Sequence, residues 1–139
     1  MKKKAYFLLL VSLCLGCKRN AQTIKANLAD SNHSLQISDF DKAVIDDIGR
    51  DSCDDAWHVL LPVYKMPADT EMKDFQDAQP GRYKVTGNGV VFTPDTPFVK
   101  GQVYFLRAFD YSGARDAWDF IRKQKQKGSA GHKDLLFKY

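Results

Sequence analysis

Three cysteines, five prolines, three histidines and two tryptophans make this 139-residue chain poor in the residues that staple folds, break them or carry catalysis. With only Cys14, Cys17 and Cys53, the disulfide framework of a small secreted scaffold is excluded. His33, His58 and His132 are far apart, and no HExxH or clustered His/Cys spacing exists, so the three-ligand pattern of a zinc enzyme is missing. There is no GxSxG, no P-loop and no GxGxxG. Proline-rich tracts, collagen triplets and internal repeats are absent too. The one oily run, Ala5–Leu15, is broken only by Ser12. It falls short of the roughly 20 residues that span a bilayer.

That run sits behind Lys2, Lys3 and Lys4 and ends in small Gly16, the charge–apolar–small layout of a secretory leader. The residues Cys14, Leu15, Gly16 and Cys17 resemble the lipobox of bacterial lipoproteins, with Cys14 standing where leucine is usual. The resemblance implies cleavage before Cys17, a diacylglyceryl thioether on its sulfur and an acyl group on the new amino terminus. Several chains together give stable anchoring, since each buried CH₂ contributes about 0.8 kcal/mol. A CxxC redox pair would have to open a helix in a folded domain, and a metal site would need two further ligands nearby. An uncleaved anchor is disfavoured by the short run.

Removing residues 1–16 leaves 123 residues and takes away three lysines and no acid, so the formal charge falls from +4 to +1. The compositional argument for nucleic-acid binding goes with it. Residues 18–34 are polar and weakly patterned and read as a flexible tether. Residues 35–139 then form one domain, with Cys53 a small buried hydrophobe rather than a reactive thiol or an intermolecular bridge.

Along that domain, Phe40, Val44, Ile45 and Ile48 share a helical face over 38–49, with Ser38 and Asp41 as a capping box and Gly49 as the stop. Alternation at Trp57, Val59, Leu61 and Val63 predicts a buried strand over 56–66, with Pro62 near an edge or bulge. A short helix over 68–81 opens at Asp69 or Thr70, ends at Pro80-Gly81 and turns Met72 and Phe75 inward. Asn88-Gly89 predicts a tight hairpin over 81–93 that opposes Val85 to Phe92 and puts Tyr83, Val85, Val90 and Phe92 on one face. A strand follows at 102–109, with Val103, Phe105 and Arg107 on one face and Tyr104, Leu106 and Ala108 on the other. Residues 112–128 read as a basic-tailed helix, 128–134 as a loop and 135–139 as a short final strand or docked tail. The class is α+β, or an embellished antiparallel sandwich with two or three flanking helices.

The run 90–113 resembles the E–F corner of fibronectin type III and related bacterial immunoglobulin-like domains through Phe92, Pro97, Phe98, Lys100, Gly101 and Tyr104, with Leu106 and Ala108 along the strand. The resemblance implies a tyrosine corner at Tyr104, its ring buried and its hydroxyl bonded back to backbone. It also offers Trp57 as an early-strand core tryptophan, and implies adhesion, scaffolding or ligand binding.

Residues 30–55 hold eight aspartates against Lys42 and Arg50, without EF-hand spacing, so a solvated face is expected ahead of a bound cation. Residues 115–139 are net +4, and Arg122, Lys123, Lys125 and Lys127 fall in the last turn of the expected helix. Cations there favour the negative end of the helix dipole, and they could equally touch anionic headgroups or an acidic partner. A Cys53–His58 nucleophile pair lacks a third orienting group. Trp57 and Trp118 read as core before sugar-stacking rings. The expectation is a non-enzymatic, cofactor-free lipoprotein tethered to the cell envelope, at the outer membrane if there are two, since Lys18 is not the aspartate of inner-membrane retention. Its domain would bind a protein of a secretion or transport complex and no nucleic acid; a carbohydrate-binding lipoprotein, and behind it a small hydrolase, are the alternatives.

Overall fold

A computed structural model describes residues 23–29, 33–39, 42–50, 54–87, 89–109, 119 and 131–139. The described chain forms two antiparallel sheets and a few short helices around one core. Strands β1 (Lys25–Leu28), β2 (Leu35–Ser38), β4 (Gly81–Thr86) and β5 (Gly89–Pro94) make a sheet in the order β1-β2-β5-β4. Strands β3 (Val63–Lys65), β6 (Val103–Phe109) and β7 (His132–Lys138) make the second, ordered β3-β6-β7. Between β2 and β3 lie α1 (Lys42–Arg50) and α2 (Asp54–Leu60). A short 3-10 segment, Thr70–Phe75, connects β3 towards β4.

The sheets meet through side chains that alternate inward along each strand. Leu35, Ile37, Val90 and Phe92 come from the four-stranded sheet; Val63, Tyr104, Leu106 and Ala108 come from the other. Ile45, Ile48, Ala56, Trp57 and Leu60 add the buried faces of the two helices. Burial of this kind contributes roughly 25 cal/mol per Å² of apolar surface.

The β4–β5 hairpin forms with the expected face and a different register. Tyr83 opposes Phe92 and Val85 opposes Val90, so Thr86 and Gly89 close the pairing around Gly87 and Asn88. Gly87 adopts φ 56°, the left-handed conformation that a side chain disfavours. Gly89 is held in the strand by its neighbour, because a Cβ there would run into the Ile37 carbonyl of β2. The slip from the expected pairing is two residues, an even number, so Tyr83, Val90 and Phe92 stay buried, while Val85, near the turn, is exposed.

Elsewhere the sheet claims more of the chain than local patterning suggests. Lys25–Leu28, inside the stretch read as tether, pairs with β2. Ser38 ends β2 opposite Lys25 instead of capping a helix, and α1 begins at Lys42 and runs through Gly49 to Arg50. Asp39 takes a left-handed φ of 65° and its carboxylate lies 2.7 Å from the Lys25 ammonium. His132, Lys133 and Asp134, expected in a loop, open β7.

The expected strand over 56–66 is helix through Leu60 and strand only at Val63–Lys65. Ala56, Trp57 and Leu60 fall on one helical face, and the Leu61 amide donates to the Trp57 carbonyl at 2.9 Å. The alternation at 57, 59, 61 and 63 was ambiguous because Leu60 is apolar as well. Pro62 then ends the helix and leads into β3, an edge strand as the missing amide demands. The helix expected over 112–128 lies outside the described residues except Asp119, which is helical.

Candidate functional site

The outer face of the β3-β6-β7 sheet, turned away from the core, carries a buried charge cluster. β6 alternates, so Phe105 and Arg107 point outward while Tyr104, Leu106 and Ala108 point in. Register places Asp134 of β7 beside Arg107, and Tyr64 of β3 beside Phe105. Arg107 Nε and Nη2 donate to the two Asp134 carboxylate oxygens at 2.9 and 3.0 Å, a bidentate pair. Arg107 Nη2 also donates to Asp74 Oδ1 at 2.7 Å. The Lys73 ammonium lies 2.6 Å from Asp134 Oδ2 and 4.7 Å from the centre of the Phe105 ring. Tyr64 stacks on Phe105 with centroids 5.0 Å apart, and the guanidinium sits over both rings.

Two cations meet two carboxylates, so the cluster is close to neutral. The hydrogen bond to Asp134 holds the Arg107 guanidinium charged despite burial. Burial pushes the Asp134 carboxyl up, but hydrogen bonds from Arg107 and Lys73 outweigh it and hold the group below the usual carboxylate range. Desolvation also raises the Tyr64 phenol. Each charge-assisted bond is worth about 1.5–3 kcal/mol where water is excluded. The share of Asp74 is smaller, because its side chain is 69% exposed.

Lys73 and Asp74 belong to the 70–75 turn, which Asp69 caps by accepting from the Glu71 amide at 3.0 Å. With Lys73 turned onto the sheet and Asp74 reaching Arg107 from the solvent side, Met72 and Phe75 face water, Phe75 being 76% exposed. The expected inward pair therefore points outward. Burying a Phe side chain is worth about 1.5–3 kcal/mol, and the turn forgoes that gain to satisfy Arg107 and Asp134.

Tyr104 closes the corner between β5 and β6. Its ring is buried against Phe98 and Phe137, and the Val99 amide donates to its hydroxyl at 3.0 Å. On the opposite side of the core the Tyr83 hydroxyl donates to the Leu61 carbonyl at 2.6 Å, and burial drives that phenol far above its ordinary range. The His58 ring packs edge-on against Tyr83, and His132 against Phe109.

Of the residues singled out from sequence, Cys17, Cys53, Trp118 and the group Arg122, Lys123, Lys125 and Lys127 lie outside the described residues. Trp57 is core, only 4% exposed, which removes it as a sugar-stacking ring. Among the described residues no three His, Cys, Asp or Glu side chains are placed to hold a metal ion. No described helix is long and apolar enough to cross a membrane. An open depression of about 450 Å³ between α1 and β4 is lined by Ile45, Asp46, Gly49 and Val85, without the convergent polar groups of a small-molecule site. Sequence reading put Arg107 on the right face of its strand and missed its partners, which lie 27 and 33 residues away. The signal available was a lone arginine inside an otherwise apolar strand. Comparison with protein-family models, curated proteins and solved structures finds no match for this chain.

Proposed function

We propose that this chain is a lipid-anchored binding module of the cell envelope, held by acyl groups on Cys17 and displaying an immunoglobulin-like sandwich. The observation that carries the module is strand order. Lettered in chain order, β1-β2-β5-β4 reads A-B-E-D and β3-β6-β7 reads C-F-G, the same order as in the two sheets of a constant-type immunoglobulin domain, which supports the sandwich reading. The buried Tyr104, near the start of the F strand with its hydroxyl on the Val99 amide, supports the same reading. Such domains present edges, loops and outer faces for partners, and their insertions fall in the loops. Here α1 and α2 occupy the B–C connection.

The anchor rests on Leu15-Gly16-Cys17 at the end of a charged, then apolar leader. Residues 18–24 would link lipid to β1, and Lys18 favours the outer membrane where two exist. The partner in this reading is another envelope protein, within a secretion or transport assembly. Metabolic labelling with a palmitate analogue tests the anchor: the wild-type chain takes up label and partitions into detergent, and Cys17→Ser loses both. Label retained in Cys17→Ser, or an intact leader found by mass spectrometry, overturns it.

A further inference from the structure

The 70–75 turn has its polarity reversed. An ordinary surface turn buries its apolar residues and gives its charges to water. This one lays Lys73 on Phe105 and Asp134, ties the largely exposed Asp74 to Arg107 from the solvent side, and leaves Met72 and Phe75 outside. Ion pairs from two different strands hold it that way, so Phe75 is a pre-positioned aromatic side chain, the kind that anchors protein interfaces. Leu136, opposite Phe105 on β7, is a further exposed apolar side chain of this sheet, 61% exposed.

The charges around Phe75 decide what could cover it. Lys73 and Arg107 are spent inward, while Glu71 and Asp77 are exposed, and among the described residues no cation pairs with either. The rim is anionic. Anionic lipid headgroups are repelled by it, and a second copy meeting it face to face would set acid against acid. We infer that the outward face of this turn, Phe75 and Met72 rimmed by Glu71 and Asp77, docks an envelope protein that offers an apolar pocket edged by lysine or arginine. This deepens the binding-module reading: the contact surface rests on the module alone, and the partner's envelope location rests on the anchor.

The test uses the full chain in its own cells, with the photoreactive residue benzoylphenylalanine replacing Phe75. A second chain carries it at Val99, which is 56% exposed on the β5–β6 corner. Irradiation should yield a defined protein adduct at 75 and none at 99. The adduct should fall roughly tenfold when Glu71→Lys and Asp77→Lys are added, substitutions of exposed side chains that leave the far-ultraviolet spectrum unchanged. It should weaken in washed membranes as salt rises from about 0.1 M to about 1 M, where the Debye length shrinks from roughly 10 to 3 Å. No adduct at 75, an adduct with lipid or a second copy, or one indifferent to charge reversal and salt overturns the inference. An adduct at 99 alone also overturns it while sparing the binding-module reading.

Discussion

Replacing Asp134 with asparagine asks how much the outer cluster contributes to folding. The substitution keeps volume and shape, but one oxygen becomes an NH₂ group facing the donors of Arg107 and Lys73. The Arg107 and Asp134 side chains are 10% and 12% exposed, so water cannot replace what is lost. Breaking one partner of a buried pair costs about 3–5 kcal/mol. Asp74 remains to serve Arg107 from the solvent side, which places the expected cost near about 3 kcal/mol. In a domain of this size each kcal/mol lowers the melting temperature by about 4–8 °C, so Asp134→Asn should melt roughly 12–24 °C lower in a circular-dichroism scan at pH 7. Replacing the cluster as a unit, with Lys73→Met, Arg107→Met and Asp134→Leu, should cost far less or nothing, because the desolvation penalty disappears with the charges. The pH dependence follows from the depressed Asp134 carboxyl. The unfolded chain holds that proton more tightly, so the contribution is full above the unfolded value of about 3.9 and is lost as pH falls through the lower folded value. Wild type should lose melting temperature steeply in that acid window, and Asp134→Asn should show a flatter profile. An Asp134→Asn chain melting within about 3 °C of wild type at pH 7 would refute the reasoning.

Two further outcomes bear on the core. Tyr104→Phe should keep the fold and lose about 1 kcal/mol in urea unfolding, because the Val99 amide keeps its place without its acceptor; no measurable loss would remove the hydroxyl's part in the corner. The Tyr83 phenol, buried and bonded to Leu61, titrates far above the unfolded value of about 10, so its contribution holds below pH 10 and is lost as pH rises beyond it. Absorbance near 295 nm should show this phenol ionising only together with unfolding, and Tyr83→Phe should shift alkaline unfolding to higher pH.

Much of the sheet was legible because strand alternation is a local property. Tyr83, Val85, Val90 and Phe92 fall on one face whichever even register they adopt, and Tyr104, Leu106 and Ala108 line the core simply by alternating. Where a segment was apolar at nearly every position, as at 56–61 apart from His58, period two and period 3.6 fitted about equally well. Packing against the core then selected the helix. The pairing of Lys25–Leu28 was invisible for the opposite reason: a polar edge strand carries little hydrophobic signal, and backbone bonds to β2 order it.

By itself the sequence determined the charged, then apolar, then small order of residues 2–16 ahead of Cys17, the absence of a disulfide framework, the alternation along β4, β5 and β6, and the tyrosine poised to close the 92–104 corner. Tertiary structure alone decided the polarity of the 70–75 turn. Hydrophobic patterning weighs each side chain against water, and on that scale Met72 and Phe75 belong inside and Lys73 and Asp74 outside. Once β6 and β7 set Arg107 beside Asp134 on a water-poor sheet face, charges from 33 and 61 residues away became the better partners, and the phenylalanine was left facing out.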